Sequence, residues 1–554
     1  MNSRLTCQVR RNTTAALSAC MPLLALCLPP ALAADVSVDP KPLARFTWNT
    51  VVNNGQEIPG AGVLFNGYNQ PSVNTNGFVV FRGRSKGGTG GEPVHGIFSR
   101  DMGAGSGSAV TSVFTNATVV PGPNNPDHQG ALSTFTEFPA FPRIGISSSL
   151  IATRGQSNPV WTYTLPDGTE TRVGTSGVYV LRQGQPLAAA SQLGAVPGFE
   201  YYAVPGAPAG TRFDQFPGAP ALAGAERIVF KGNYTDGVSK TGVFHRGVNP
   251  SRPDAAVQLI ASSNTLIPGQ PADGVRFGST APPSASTVDT VFLGLDNEEQ
   301  PTLGGIYRAP LGSNPALKVL VPLGAQVPGE SQGTGFARVG EVLSYDGRLI
   351  GFWGSWGAET RPVTLICPQD GNADLIKYCN DTYPSGHLVQ VPVHQGFFVH
   401  DATTHQTHPV VKTGAEFKDF MYWVFSGRPP GVGDGDSEDF EPPRWRASTF
   451  VTSFRLGLNG RAQVAFKGNK PTTPAIDGIY MTWVPTVPQV IRPLVETGSA
   501  ATLLDPQAPA GSLVSAIGLE RDALRGNWLA ITASMLNATT GETWAGVYLA
   551  RTLP

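Results

Sequence analysis

Seven times along this chain a glycine precedes an apolar residue and then Tyr or Phe. The copies are Gly96-Ile97-Phe98, Gly177-Val178-Tyr179, Gly242-Val243-Phe244, Gly305-Ile306-Tyr307, Gly396-Phe397-Phe398, Gly478-Ile479-Tyr480 and Gly546-Val547-Tyr548. Each follows an apolar run such as FVVFRG (78–83), RIVFKG (227–232), TVFLGL (290–295) or QVAFKG (463–468). A fixed order of short β-rich segments at a regular spacing marks a repeat fold.

A second segment follows each of the first six copies: an apolar strand, then in most copies Pro-Gly. Examples are SVFTNATVVPG (112–122), VQLIASSNTLIPG (257–269) and LKVLVPLGAQVPG (317–329). The seventh copy has no successor, but TWNTVVNNGQEIPG (47–60) stands alone near the N-terminus. That circular offset predicts an all-β, seven-bladed β-propeller whose N-terminal strand completes the last blade, since a closed ring leaves only short sheet edges. An open solenoid would need capping repeats instead. About four strands are expected per blade; in blade one they fall near 62–66, 78–82, 96–100 and 109–115. Abundant Gly (66) and Pro (49) beside few charged residues (14%) agree with many short strands and turns.

Residues 1–33 read as a secretory signal: Arg4, Arg10 and Arg11 precede an apolar core, and Ala31-Leu32-Ala33 offers small residues for cleavage. The mature domain is then 34–554, exported to the periplasm or the medium. No later run approaches the ~20 apolar residues of a membrane span. Loss of the leader leaves 36 basic against 40 acidic residues, without the basic excess of a nucleic-acid binder. Two mature cysteines remain, Cys367 and Cys379, and in an exported chain they are expected to pair.

In blade one, PSVNTNGFVVF sets Asn74, Gly77 and Phe81 at fixed offsets; in blade six, NGRAQVAF sets Asn459, Ala462, Ala465 and Phe466 at the same ones. Here the chain resembles bacterial secreted proteins built of tandem Asn-x-x-Gly-x-x-Ala-Phe repeats. The resemblance implies an exported, propeller-like protein and supplies no catalytic residues. That family's C-terminal surface anchor has no counterpart in GVYLARTLP.

Chemistry is sought where the repeat does not constrain the residue. Arg143, Arg212 with Asp214, Arg276, and Arg338 with Glu341 follow the Pro-Gly segments of successive blades; blade six adds Arg444 and Arg446, and blade seven Glu520 and Arg521. If equivalent, these arginines converge on the central channel. Guanidinium groups there either bind a carboxylate or phosphate, or pair with acids to fill the channel. The insertion-rich segment 367–446 holds His400, His405 and His408, either metal ligands or hydrogen-bonding histidines, since H-x₄-H-x₂-H matches no strong motif. Its acidic stretch contains Asp434, Asp436, Glu438, Asp439 and Glu441, either a calcium loop or a solvated one. Next to it Arg444 and Arg446 flank Trp445, an indole able to stack on a ligand.

No phosphate loop or dinucleotide fingerprint is present, and Gly354-Ser355-Trp356-Gly357 lacks the leading glycine of a nucleophile elbow. The reading is a monomeric binding or scaffold propeller for an anionic glycan or a protein partner at its funnel. The alternative is a hydrolase or lyase using calcium or a transition metal.

Overall fold

The computed structural model describes residues 37–38 and 46–552, apart from 88–92, 105–107, 126–131, 158–160, 165–169, 174–175, 314, 370–372, 428–442, 457–460 and 487–488. Seven antiparallel sheets, in chain order, form a seven-bladed β-propeller. In blade one the second, third and outer strands are Phe78–Ser85, His95–Asp101 and Thr111–Thr115. Each glycine–aromatic element lies in or opens a third strand, paired throughout with the run that precedes it.

The inner strand differs from expectation. In six blades it breaks into two pieces, as Phe65–Tyr68 and Ser72–Val73 do in blade one, so these sheets count five segments. Prolines at the breaks account for much of this, because Pro71, Pro142, Pro220 and Pro282 have no N–H to continue the ladder.

The ring closes as the circular offset predicts. Trp48–Asn53 pairs antiparallel with Thr543–Arg551, from Trp48 opposite Ala550 to Asn53 opposite Gly546. A second fastening was not foreseen. Ser37–Val38 pairs parallel with Val490–Glu496 and adds an edge strand to blade six. Two successive N-terminal strands therefore tie down two neighbouring blades.

Seven apolar clusters hold the ring, one at each blade-to-blade interface. The repeat aromatics build them. Phe98, Phe244, Tyr307, Phe398 and Tyr480 each stack on the phenylalanine of the preceding run, with centroids 5.6–6.0 Å apart. A third ring, from the inner strand or a segment ahead of it, meets each edge-on, as Phe277 does Tyr307 at 5.2 Å and Phe417 does Tyr480 at 4.9 Å.

Glycine makes room for that third ring. Gly83 and Gly96, Gly232 and Gly242, Gly294 and Gly305 stand opposite each other in register. A Cβ on Gly294 would lie 2.5 Å from Phe277 Cε1, and one on Gly83 2.9 Å from Phe65 Cε1. Blade seven makes the reciprocal choice: Ala533 takes the glycine position opposite Gly546, and Val514 takes the place of the phenylalanine. Ring and glycine are exchanged together.

This complementarity is testable in blade four. Gly294→Ala should destabilise by about 1–3 kcal/mol through overpacking, and Phe277→Val by roughly 1–3 kcal/mol through lost volume. The double variant should lose clearly less than the sum in denaturant unfolding; strict additivity would refute the exchange.

Candidate functional site

The ring axis is closed from within. The turn of blade seven that carries Glu520, Arg521 and Asp522 crosses the axis and bonds five other blades. Its Asp522 carbonyl accepts the Val73 N–H of blade one at 3.1 Å. Arg143 of blade two pairs with Glu520 and, at 3.2 Å, with Asp522. Arg521 donates to the carbonyls of Ala219 at 3.2 Å and Pro282 at 3.3 Å, in blades three and four. Ser344 of blade five donates to the Arg521 carbonyl at 2.7 Å, and Arg525 reaches the Tyr345 carbonyl at 3.0 Å while pairing with Asp522.

Burial and neighbouring Arg143 push the Arg521 pKa down to about 10, still protonated at neutral pH. Asp522 is held below the usual carboxylate range by Arg525, Arg143 and Arg521, against the opposing effect of burial.

Of the two readings of these arginines, Arg143 and Arg521 follow the second: they pair with acids and carbonyls and fill the channel. Arg143 and Arg521 are both 2% exposed and committed to protein partners. Arg276 is exposed and bonded to the Asn264 carbonyl, so no single solvent-borne ligand meets it and Arg143 together. Arg212, half-buried, precedes Phe213, the inner-strand ring of blade three. Asp214 accepts from Thr235 at 2.8 Å.

Charge does gather in a funnel across blades three to six. Arg338, Glu341, Trp353 and Trp423 line a cavity of about 230 Å3 with Glu298 and Ser279. A second cavity of about 370 Å3, lined by Asp214 and Lys231, shares Glu298 and Ser279 with the first. Ser279 donates to Glu298 at 3.3 Å, and Arg338 to the Glu299 carbonyl at 2.7 Å.

Glu341 is open to solvent, yet a concave protein wall surrounds it. The opening governs access; the wall governs the carboxyl. Burial raises the Glu341 pKa, and Lys231 partly offsets it. Burial lowers that of Lys231, with Glu341 and Glu298 opposing and Arg444 and Arg446 adding to the drop. Among the described residues, neither Lys231 nor Glu341 has a hydrogen bond or ion pair to protein.

Lys231 was missed from sequence, although its signal lies inside the repeat. It is the residue before the slot glycine in RIVFKG, a position that is basic in four blades: Arg82, Arg154, Lys231 and Lys467. Arg82 pairs with Glu137 at 2.6 Å. Lys467 lies 3.8 Å over the Tyr422 ring and 3.5 Å from Asp477.

Arg444 and Arg446 owe their position to strand alternation. They lie on Arg444–Ser448, which pairs with Tyr422–Ser426 as a hairpin inserted ahead of blade six. Trp445, between them, points the other way. Its ring meets Phe425 edge-on at 5.1 Å in a small core with Cys367 and Cys379. These cysteines are bonded, as expected, and brace the helix Ala373–Thr382 on a long arm of blade five, Leu349–Leu365 with His387–Asp401. Trp445 thus supports the two arginines rather than offering a free indole.

The histidines stand apart from the funnel residues. His400 is buried, its Nδ1 3.0 Å from Thr407 Oγ1, and its ring centroid is 6.5 Å from that of His405. His405 Nε2 lies 3.2 Å from Lys318, and Asp401 is claimed by Arg348. His408 is half-buried, and burial lowers its pKa. Among the described residues no three His, Cys, Asp or Glu side chains gather as a metal site. Asp434, Asp436, Glu438 and Asp439 lie outside the described residues.

Two outcomes follow for stability. Arg143→Leu strands Glu520 in the closed axis and should cost about 3–5 kcal/mol in equilibrium unfolding; a neutral result would show that the axial pairs are dispensable. Burial, with His405 adding, pushes the His400 pKa from 6.5 down to about 4. Within that window the unfolded chain binds a proton that the folded chain refuses, so stability falls as pH drops through it. His400→Gln should flatten that slope in melts run across the window.

No protein-family model and no curated protein matches the sequence. Among solved structures the chain is similar to a Synechocystis apocarotenoid oxygenase, at 11% identity, over 92% of this chain and 94% of that one, with a TM-score of 0.29. A GH62 hydrolase in complex with xylotriose aligns at 8% identity over 60% and 90%, with a TM-score of 0.22. The Pseudomonas aeruginosa periplasmic gluconolactonase aligns at 12% over 73% and 93%, with a TM-score of 0.20. Superpositions this loose carry no argument about chemistry, and the seven-bladed architecture rests on the chain's own sheets.

Proposed function

We propose that this protein is an exported binding propeller whose funnel takes an anionic ligand of the uronate-bearing glycan class. The observation that carries the reading is the pair of adjoining cavities: Lys231 lines one of them with no protein partner among the described residues, and Arg444, likewise unpartnered there, is near enough to act electrostatically on both Lys231 and Glu341. Arg338 adds a guanidinium at the rim, and Trp423 an apolar face for a sugar ring. The closed axis supplies a floor, so the ligand enters from one side. Export rests on the N-terminal leader, and the disulfide is in keeping with an oxidising compartment.

A second reading, a lyase or hydrolase, draws on Lys231 and Glu341. Burial pushes the lysine down and the carboxyl up, the directions in which a proton-exchanging pair is tuned. It requires no metal.

Calorimetry with galacturonate oligomers tests the first reading. Lys231→Gln and Arg444→Gln should each weaken binding about tenfold, roughly one charge-assisted contact. Protonated Glu341 does not repel an anion, so affinity should fall as pH rises through its raised pKa, and Glu341→Gln should remove that dependence. Failure of the wild type to bind any acidic oligosaccharide ends this reading. Product formation lost in Lys231→Gln, with binding kept, would establish the second.

A further inference from the structure

The largest cavity among those described lies elsewhere, across the seam where the ring closes. It has a volume of about 650 Å3 and is walled by the inner and second strands of blade one and by blade seven, with Asn54 of the closing segment at its edge. That volume falls in the range of small-molecule sites.

Its chemistry differs from that of the funnel. Asn66, Asn69 and Gln70 present side-chain amides, and Ser534 a hydroxyl. Amides and hydroxyls both donate and accept, which matches a ligand whose groups do the same. Arg82 is neutralised by Glu137, and among the described residues no acid lines the cavity. Arg84, exposed, is the one lining cation without a protein partner among the described residues.

Two polar atoms of the lining residues, Asn54 Oδ1 and Tyr68 Oη, are buried with no hydrogen-bond partner. Such atoms are costly unless something supplies a partner. Glycines keep the walls bare. A Cβ on Gly518 of blade seven would run into Gln70 of blade one, so glycine there lets the two blades approach. Trp544 gives a half-buried indole whose orientation is fixed, because its Nε1 donates to Asp505 at 2.9 Å. A fixed indole beside amides and hydroxyls suits the mixed C–H and O–H surface of a pyranose.

We propose that this seam cleft is a second binding site, specific for a neutral oligosaccharide that bridges blades seven and one. The inference is independent of the anionic funnel, which lies across blades three to six.

The test uses the full mature protein with xylotriose, cellotriose and maltotriose as probes and galacturonate trimer as the charged control. At least one neutral trisaccharide should bind in calorimetry. It should also slow hydrogen exchange in Trp48–Asn53 and Thr543–Arg551, the closing pair. The Asn66→Ala/Gln70→Ala double variant, whose half-buried side chains line the cleft, should weaken that binding at least tenfold. Trp544→Ala should do the same if it folds; the double variant keeps the test valid if it does not. Lys231→Gln should leave neutral binding unchanged. Absence of neutral binding at millimolar sugar, or full affinity in the double variant, overturns the proposal. So does galacturonate trimer that binds as tightly as the neutral probes and is lost in that same variant.

Discussion

Everything in this molecule depends on blades that are apolar on both faces being packed against both neighbours. A four-stranded sheet alone cannot hide two such faces, so stability belongs to the interfaces and not to any one blade. The repeat encodes the interface directly. Paired glycines thin the sheet at one place, and three aromatic rings fill it, two stacked and one edge-on. Because a ring and a missing Cβ define the same volume, neither varies alone, and blade seven departs from the pattern in both at once.

Much of this was legible in the sequence, because periodic packing leaves a periodic trace. The glycine–aromatic elements, the displaced N-terminal segment and the cysteine pair gave the ring, its closure and its disulfide. What the sequence concealed has no period. Glu520 and Arg521 stand among the channel candidates of the sequence, but that one turn with Asp522 closes the axis could not be read there, because only one blade can occupy it and a feature used once leaves no repeat. Trp445 looked like a ligand platform beside Arg444 and Arg446; only the pairing of its hairpin shows which side of the strand it occupies. Lys231 was hidden for the opposite reason. It sits inside the repeat, where a basic residue reads as ordinary variation until a wall folds around it.

The axial turn also separates what the molecule stabilises from what it exposes. Charges spent in the axis are paired and dry: Arg143, Glu520 and Arg521 are each 2% exposed or less. Among the described residues the charges of the funnel, Lys231 and Glu341, lack protein partners, and they sit where solvent reaches. A chain with few charged residues thus keeps some of them uncommitted at one face. The amide-rich seam cleft, beside the closing strand, is of a different kind, built almost wholly from uncharged groups.

The closing strand sets an order of events in time. Trp48–Asn53 is made long before its partner, Thr543–Arg551. Until Thr543–Arg551 is made, blade seven is incomplete and its neighbour in blade one has a bare flank. The cost of joining ends so distant grows only slowly with their separation, but it must be met before the contacts that reward it exist. The parallel strand Ser37–Val38 meets its partner in blade six earlier in synthesis. It can hold the N-terminal segment beside the growing ring, so that the last join is made between pieces already near each other.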